Sequence, residues 1–178
     1  KDYEVVVAHS ETGNKQTTQV IQSTTMKGKD WFVYTDAIMN GLELGLVNLM
    51  GSFIHRLEEK YAQVYLIRND EKATRYKLTE FGGPRGYMPD FILYLENETF
   101  VYQIFIEPKG DFLEKQDSWK QDLLYALNGD DIELIGEDHH VRLIGLKFYN
   151  SNNKREFVQE LSDKVNDGQL LDGRIDIF

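Results

Sequence analysis

The stretch Tyr87-Met88-Pro89-Asp90-Phe91-Ile92-Leu93-Tyr94-Leu95, then Glu96-Asn97-Glu98-Thr99, then Phe100-Val101-Tyr102-Gln103-Ile104-Phe105-Ile106-Glu107-Pro108-Lys109-Gly110 decides how this chain is read. Two apolar segments rich in β-branched and aromatic residues flank a short polar turn, the pattern of a hairpin. Each segment carries charge where it should be buried. Asp90 opens the first strand, and Glu107 and Lys109 close the second two residues apart, so both point to one face of their strand. Folding about Asn97-Glu98 sets Asp90 opposite the neighbourhood of Ile106 and Glu107. Two carboxylates and an amine then meet at one end of an apolar sheet, and charges are rarely buried there unless paired or bound to a metal.

Outward from the hairpin the period changes. Leu42, Leu46, Leu49, Phe53, Leu57 and Tyr61 recur at helical steps from Gly41, an amphipathic helix of about five turns, with Asp36 as its expected N-cap. Gln63 to Ile67 reads as a strand ended by Arg68-Asn69-Asp70, and Gly82-Gly83-Pro84-Arg85-Gly86 as a flexible loop into the hairpin. After Gly110, Trp119, Leu123 and Leu127 mark a second helix, broken at Asn128-Gly129-Asp130-Asp131. Val141 to Tyr149 reads as a strand, followed by a helix carrying Phe157, Leu161 and Val165. The order helix, strand, hairpin, helix, strand, helix gives an α/β fold with a mixed β-sheet, its central antiparallel hairpin flanked by helices. Residues 1–40 read as a β-rich extension, clearest at Glu4–Ala8 and Trp31–Tyr34, which either joins this sheet or belongs to a preceding domain. Residues 41–178 form the main domain. All three prolines fall in the loop and hairpin. Pro89 biases Met88 towards extended backbone, and Pro108 suits a strand end or bulge.

The chain has 178 residues and 41% hydrophobic residues, enough for one domain with a proper core. It has no cysteine, which excludes disulfides, a thiol nucleophile and thiolate metal sites. No apolar run approaches a membrane span and no signal peptide is visible, so a cytoplasmic protein is expected. It begins at Lys1 without Met, as a fragment of a longer protein or a processed or tagged chain does. The net charge of −10 argues against strong autonomous binding to a polyanion, because that binding rests on phosphate neutralisation.

Two carboxylates beside a lysine have a specific use. Mg²⁺ takes carboxylate and carbonyl oxygens and keeps several waters. Asp90, Glu107 and the Pro108 main-chain carbonyl supply such oxygens, while Lys109 can orient a water or stabilise charge on a phosphate. Those are the parts needed for phosphodiester hydrolysis. The same residue types at this spacing also make a plain salt bridge of Lys109 with Asp90 or Glu107.

Pro89-Asp90, sixteen intervening residues and Glu107-Pro108-Lys109 resemble the PD-(D/E)xK nuclease superfamily. The flanking apolar strands, the Pro-Lys-Gly end and the following Phe112, Trp119 and Lys120 resemble most the C-terminal endonuclease domain of type III restriction enzyme Res subunits, over about residues 41–150. That resemblance implies a restriction-endonuclease-like core and a Mg²⁺-dependent endonuclease acting on DNA. In it, Asp90 and Glu107 are metal ligands and Lys109 is the catalytic lysine. It also implies a parent helicase domain that uses ATP outside this chain, and a methylase-type modification subunit as partner. Many superfamily members place a glutamate on the first helix, for which Glu58 and Glu59 are the candidates here. Gln116, Lys120 and Gln121 on the second helix read either as phosphate contacts or as surface, and Arg85 as a contact to a DNA backbone. His139-His140, after Glu137 and Asp138, reads as an exposed loop, and His55 as a surface histidine. The competing readings are a non-catalytic module of the same fold and another repair or recombination nuclease of the superfamily.

Overall fold

The computed structural model describes residues 4–7, 19–26, 28–34, 36–69, 77–79, 85–129 and 141–173. Three N-terminal strands, β1 (Glu4–Val7), β2 (Gln19–Thr25) and β3 (Asp36–Asn40), pair antiparallel in the order β1-β2-β3. They form their own sheet, and β3 runs straight into helix α1 (Gly41–Lys60). Asp36 opens β3, so it is not the helix cap. That role belongs to Asn40, whose Oδ1 accepts the Leu42 and Glu43 N–H groups at 2.9 Å each. Glu43 reaches back to accept the Asn40 N–H at 2.7 Å, completing a capping box. Asn40-x-x-Glu43 is closer to the apolar run than Asp36 is, and it satisfies donors at both ends of the first turn.

Helix α1 buries Leu46, Val47, Met50, Phe53, Ile54 and Leu57, the stripe its period demands. That stripe packs on a four-stranded sheet made of β4 (Gln63–Arg68), then, after the short pair β5 (Leu78–Thr79) and β6 (Gly86–Tyr87), β7 (Phe91–Glu96), β8 (Val101–Ile106) and finally β9 (Val141–Gly145). The spatial order is β4-β7-β8-β9, with β4-β7 and β7-β8 antiparallel and β8-β9 parallel. The hairpin is therefore central. Its turn is closed by Asn97, whose N–H donates to the Phe100 carbonyl and whose Oδ1 accepts from Thr99 and Phe100.

Alternation along the strands sorts the core into two layers. Val64, Leu66, Phe91, Leu93, Leu95, Ile104 and Ile106 pack in one cluster with α1 and with helix α4 (Lys154–Val165), which follows β9 and contributes Phe157, Val158, Leu161 and Val165. Ile92 and Phe105 face the other way. There they meet Leu124, with Trp119 and Leu123, all of helix α3 (Ser118–Ala126), and Leu127 just past its end; the short helix α2 (Asp111–Glu114) leads into α3, and both precede β9. Helix α3 lies so close to β9 that a Cβ on Gly145 would stand 1.9 Å from the Leu124 carbonyl oxygen. Asn128 completes that contact, its side chain bonding both the N–H and the carbonyl of Gly145.

Trp31–Tyr34 is not a regular strand. Trp31 and Phe32 are buried, and Phe32 makes a single parallel bridge to Leu66, with Leu66 N–H donating to the Trp31 carbonyl at 2.7 Å. The segment thus covers the outer edge of β4, which would otherwise expose unpaired backbone. β2 lies between the two segments of the extension that read most clearly as strands, where Gln, Ser and Thr hide its alternation. No helix among the described residues is long and apolar enough to cross a membrane.

Candidate functional site

The register of the hairpin builds the site. Phe91 pairs with Ile106, so one step beyond the ladder Asp90 comes opposite Glu107. The Asp90 N–H donates to Glu107 Oε2 at 3.1 Å. Odd positions at the end of β8 follow Phe105 onto the α3 face, and Glu107 and Lys109 share it. Lys109 Nζ stands 3.3 Å from Glu107 Oε1. Beyond Ile106 the chain holds its line by a parallel bridge to the segment after β9: Tyr149 N–H donates to the Glu107 carbonyl, and Lys109 N–H to the Tyr149 carbonyl. Carbonyls alternate in direction along an extended chain, so that of Pro108 is turned the opposite way, towards the β7 side. Asp90, Glu107, the Pro108 peptide and Lys109 are gathered at one end of the sheet, lining a pocket of about 820 Å³ with Tyr87, Lys77, Leu113 and Lys120.

Electrostatics single out the acidic pair. Burial and the neighbouring charges of Glu107 and Glu43 push the Asp90 carboxyl up to about 7, against the pull of Lys109 and Arg68. Burial also raises Glu107, although Lys109 and the Asp90 N–H favour its charged form. Burial alone would draw Lys109 down, but hydrogen bonding to Asp117 and the charge of Glu107 lift it above its usual range. Lys109 is a cation at neutral pH. Among the described residues the buried Tyr87 hydroxyl has no hydrogen-bond partner, and burial first, then the charges of Glu107 and Asp90, disfavour its ionisation.

Two residues of the site were not anticipated. Glu43, on the first turn of α1, is buried, pairs with Arg68 at 3.2 Å and acts on Asp90 through its charge. Its sequence signal was the capping box with Asn40. Asp117, at the start of α3, bonds Lys109 at 2.6 Å and Lys120 at 3.2 Å, and no local pattern in the sequence marks it.

The remaining candidates separate by position. Glu58 and Glu59 are exposed in the last turn of α1, about 22 Å along the helix from Glu43 at 1.5 Å per residue. They are not in the pocket. Lys120 lines it and lies over the Tyr87 ring at 5.5 Å. Arg85 is exposed beside the Trp119 ring. Gln121 instead ties α3 to the chain after β9, donating to the Leu146 carbonyl and accepting the Phe148 N–H. Gln116 and His55 are exposed, and His139-His140 lie outside the described residues.

As a cation site, the donor set is all oxygen, which suits a hard ion such as Mg²⁺ or Mn²⁺. Burial raises both carboxyls, and in Asp90 the charges of Glu107 and Glu43 add to it. Among the described residues no three Asp, Glu, His or Cys side chains are grouped closely enough to hold a metal unaided. A hard cation here would take its protein oxygens from the two carboxylates and the Pro108 carbonyl and would need water for the rest.

A model of the HI_1054_C C-terminal domain matches residues 9–166, taking in β2 and β3 and most of the main domain. The chain belongs to the HI_1054_C C-terminal domain family. It is also 39% identical over 145 residues to an uncharacterized protein of Haemophilus influenzae, an alignment covering 73% of this chain. The aligned part is 31% of that relative's length, so the chain spans about a third of it. No solved structure matches the chain.

Proposed function

We propose that this chain is a metal-dependent endonuclease domain with a restriction-endonuclease-like core, the nuclease module of a helicase-coupled protein like a type III restriction Res subunit. The observation that carries this reading is the gathering of Asp90, Glu107 and Lys109 in one pocket at the end of the central hairpin. Glu43 supports it, as an acidic group from the first helix placed beside Asp90. Asp90, Glu107 and the Pro108 carbonyl hold the ion, and Glu43 adds negative charge behind them. When bound, the ion supplies a more acidic water and charge neutralisation at the phosphate. Lys109, a fixed cation, orients the attacking water and faces the phosphoryl oxygens. Lys120 and Lys77 add positive charge along the pocket wall for the backbone of the strand. The chain's own acidity leaves most of the grip on DNA to the parent helicase part and a modification subunit, with ATP used there.

One observation favours a second reading. Lys109 is paired with both Glu107 and Asp117, as in a non-catalytic module of this fold whose charges only brace the core. Incubating the domain, alone and with its parent protein, with DNA and Mg²⁺ or Mn²⁺ separates the two. The nuclease reading expects cleavage that Lys109→Ala and Asp90→Ala each abolish. Cleavage indifferent to both substitutions, or none by the parent protein, rules it out.

A further inference from the structure

Asp117 holds the N-cap position of α3, a place where aspartate ordinarily accepts the helix's own N–H groups. It makes no such bond. Its carboxylate is spent instead on the two pocket lysines, with a single oxygen, Oδ2, accepting from both Lys109 and Lys120. Lys109 is therefore suspended between two acids at unequal distance: 2.6 Å to Asp117, a short charge-assisted bond, and 3.3 Å to Glu107, at the long limit of one. A lysine ammonium two residues from a buried carboxylate is that carboxylate's natural counterion. Left to itself it would close on Glu107 and occupy the place of any other cation. The charged groups around it are Glu107 on its own strand end, Asp90 across the hairpin, Asp117 and Lys120 on α3, and Lys77 on the pocket wall.

We propose that Asp117 is a positioning residue that holds Lys109 back from Glu107 and so keeps the Asp90–Glu107 pair open to a divalent cation. An ammonium has three donors. Two are committed to Asp117 and Glu107, and the third is left for the pocket. Asp117 thus does two things through Lys109: it weakens an internal competitor of the metal, and it fixes the lysine's remaining donor. This rests on the reading of the pair as a cation site.

The test is calorimetric titration of Mn²⁺ into the whole chain. Because Asp117 caps nothing, Asp117→Ala removes no helix-cap bond, and its thermal midpoint is expected to stay close to that of the native chain. Mn²⁺ affinity is expected to fall roughly tenfold, the low end of what losing a residue behind a metal ligand costs. Asp117→Glu, which keeps the charge, should restore most of it. In a Lys109→Met background the same Asp117→Ala change should have no effect, because the competitor is gone. Equal affinity in the native and Asp117→Ala chains overturns the inference and leaves the metal reading standing, as does a tenfold loss that persists with Lys109→Met. Absence of Mn²⁺ binding by the native chain overturns the metal reading, and this inference with it. Should Asp117→Ala unfold, the comparison is made with Asp117→Asn, with the same outcomes.

Discussion

At the residue scale, the decisive group is a half-buried carboxylate that does not ionise readily. The Asp90 carboxyl is raised to about 7 by burial and by Glu107 and Glu43. The unfolded chain ionises at the ordinary aspartate value. Between those two values the folded protein keeps a proton that the unfolded chain has lost. The stability this confers is present at low pH and disappears as pH rises through about 7. Asp90→Asn should therefore leave stability nearly unchanged at about pH 4 and raise it by roughly 1 to 3 kcal/mol at about pH 8, in scanning calorimetry without metal. A variant that is less stable than the native chain at alkaline pH contradicts the assigned electrostatics. The same scale decides which glutamate matters. Glu43→Gln should reduce metal-dependent cleavage by about a hundredfold, while Glu58→Gln and Glu59→Gln stay within about twofold. Assays of the three variants side by side check this, and equal losses would remove Glu43 from the site.

At the element scale, each piece of the site is aimed by local chemistry. The capping box sets the start of α1, and with it the place of Glu43. Asn40→Ala should cost about 1 kcal/mol in urea unfolding, and it should lower cleavage further because Glu43 loses its anchor. Helix α3 is aimed by its contact with β9. Gly145→Ala drives a methyl into the Leu124 carbonyl, so it should destabilise the protein by about 1 to 3 kcal/mol. The hairpin, α1, α3 and α4 were legible in the sequence because their apolar positions recur at the periods of two and 3.6 that burial requires. β2 was not, since Gln19, Gln22, Ser23 and Thr24 interrupt the apolar alternation and its partners supply the pairing. Glu58 and Glu59 lie at the end of α1 away from the pocket, a placement that period alone does not give, because it says which face is buried and not which end meets the hairpin. Asp90, Glu107 and Lys109 were legible as neighbours from hairpin register. Asp117 was not, since its contact with Lys109 follows from how α3 crosses the sheet.

At the scale of the whole molecule, charge and extent limit what the chain does alone. A net charge of −10 surrounds a pocket whose wall carries three lysines. The isolated chain should hold DNA weakly at physiological salt, and binding should tighten steeply as salt is lowered. Mobility-shift titrations at several ionic strengths check this, and tight, salt-insensitive retention contradicts it. The family match takes in β2 and β3 together with most of the main domain, and β3 delivers Asn40 directly to the pocket. The N-terminal strands are thus continuous with the elements that build the site.

The most direct measurement of the central claim is titration of Mn²⁺ into the native chain across neutral pH, beside Glu107→Gln and Asp90→Asn. A cation held by this pair competes with the proton on Asp90, so affinity should rise as pH passes through about 7 and level off above it. Both substitutions should abolish binding. Binding that ignores pH, or that survives the loss of Glu107, contradicts the account.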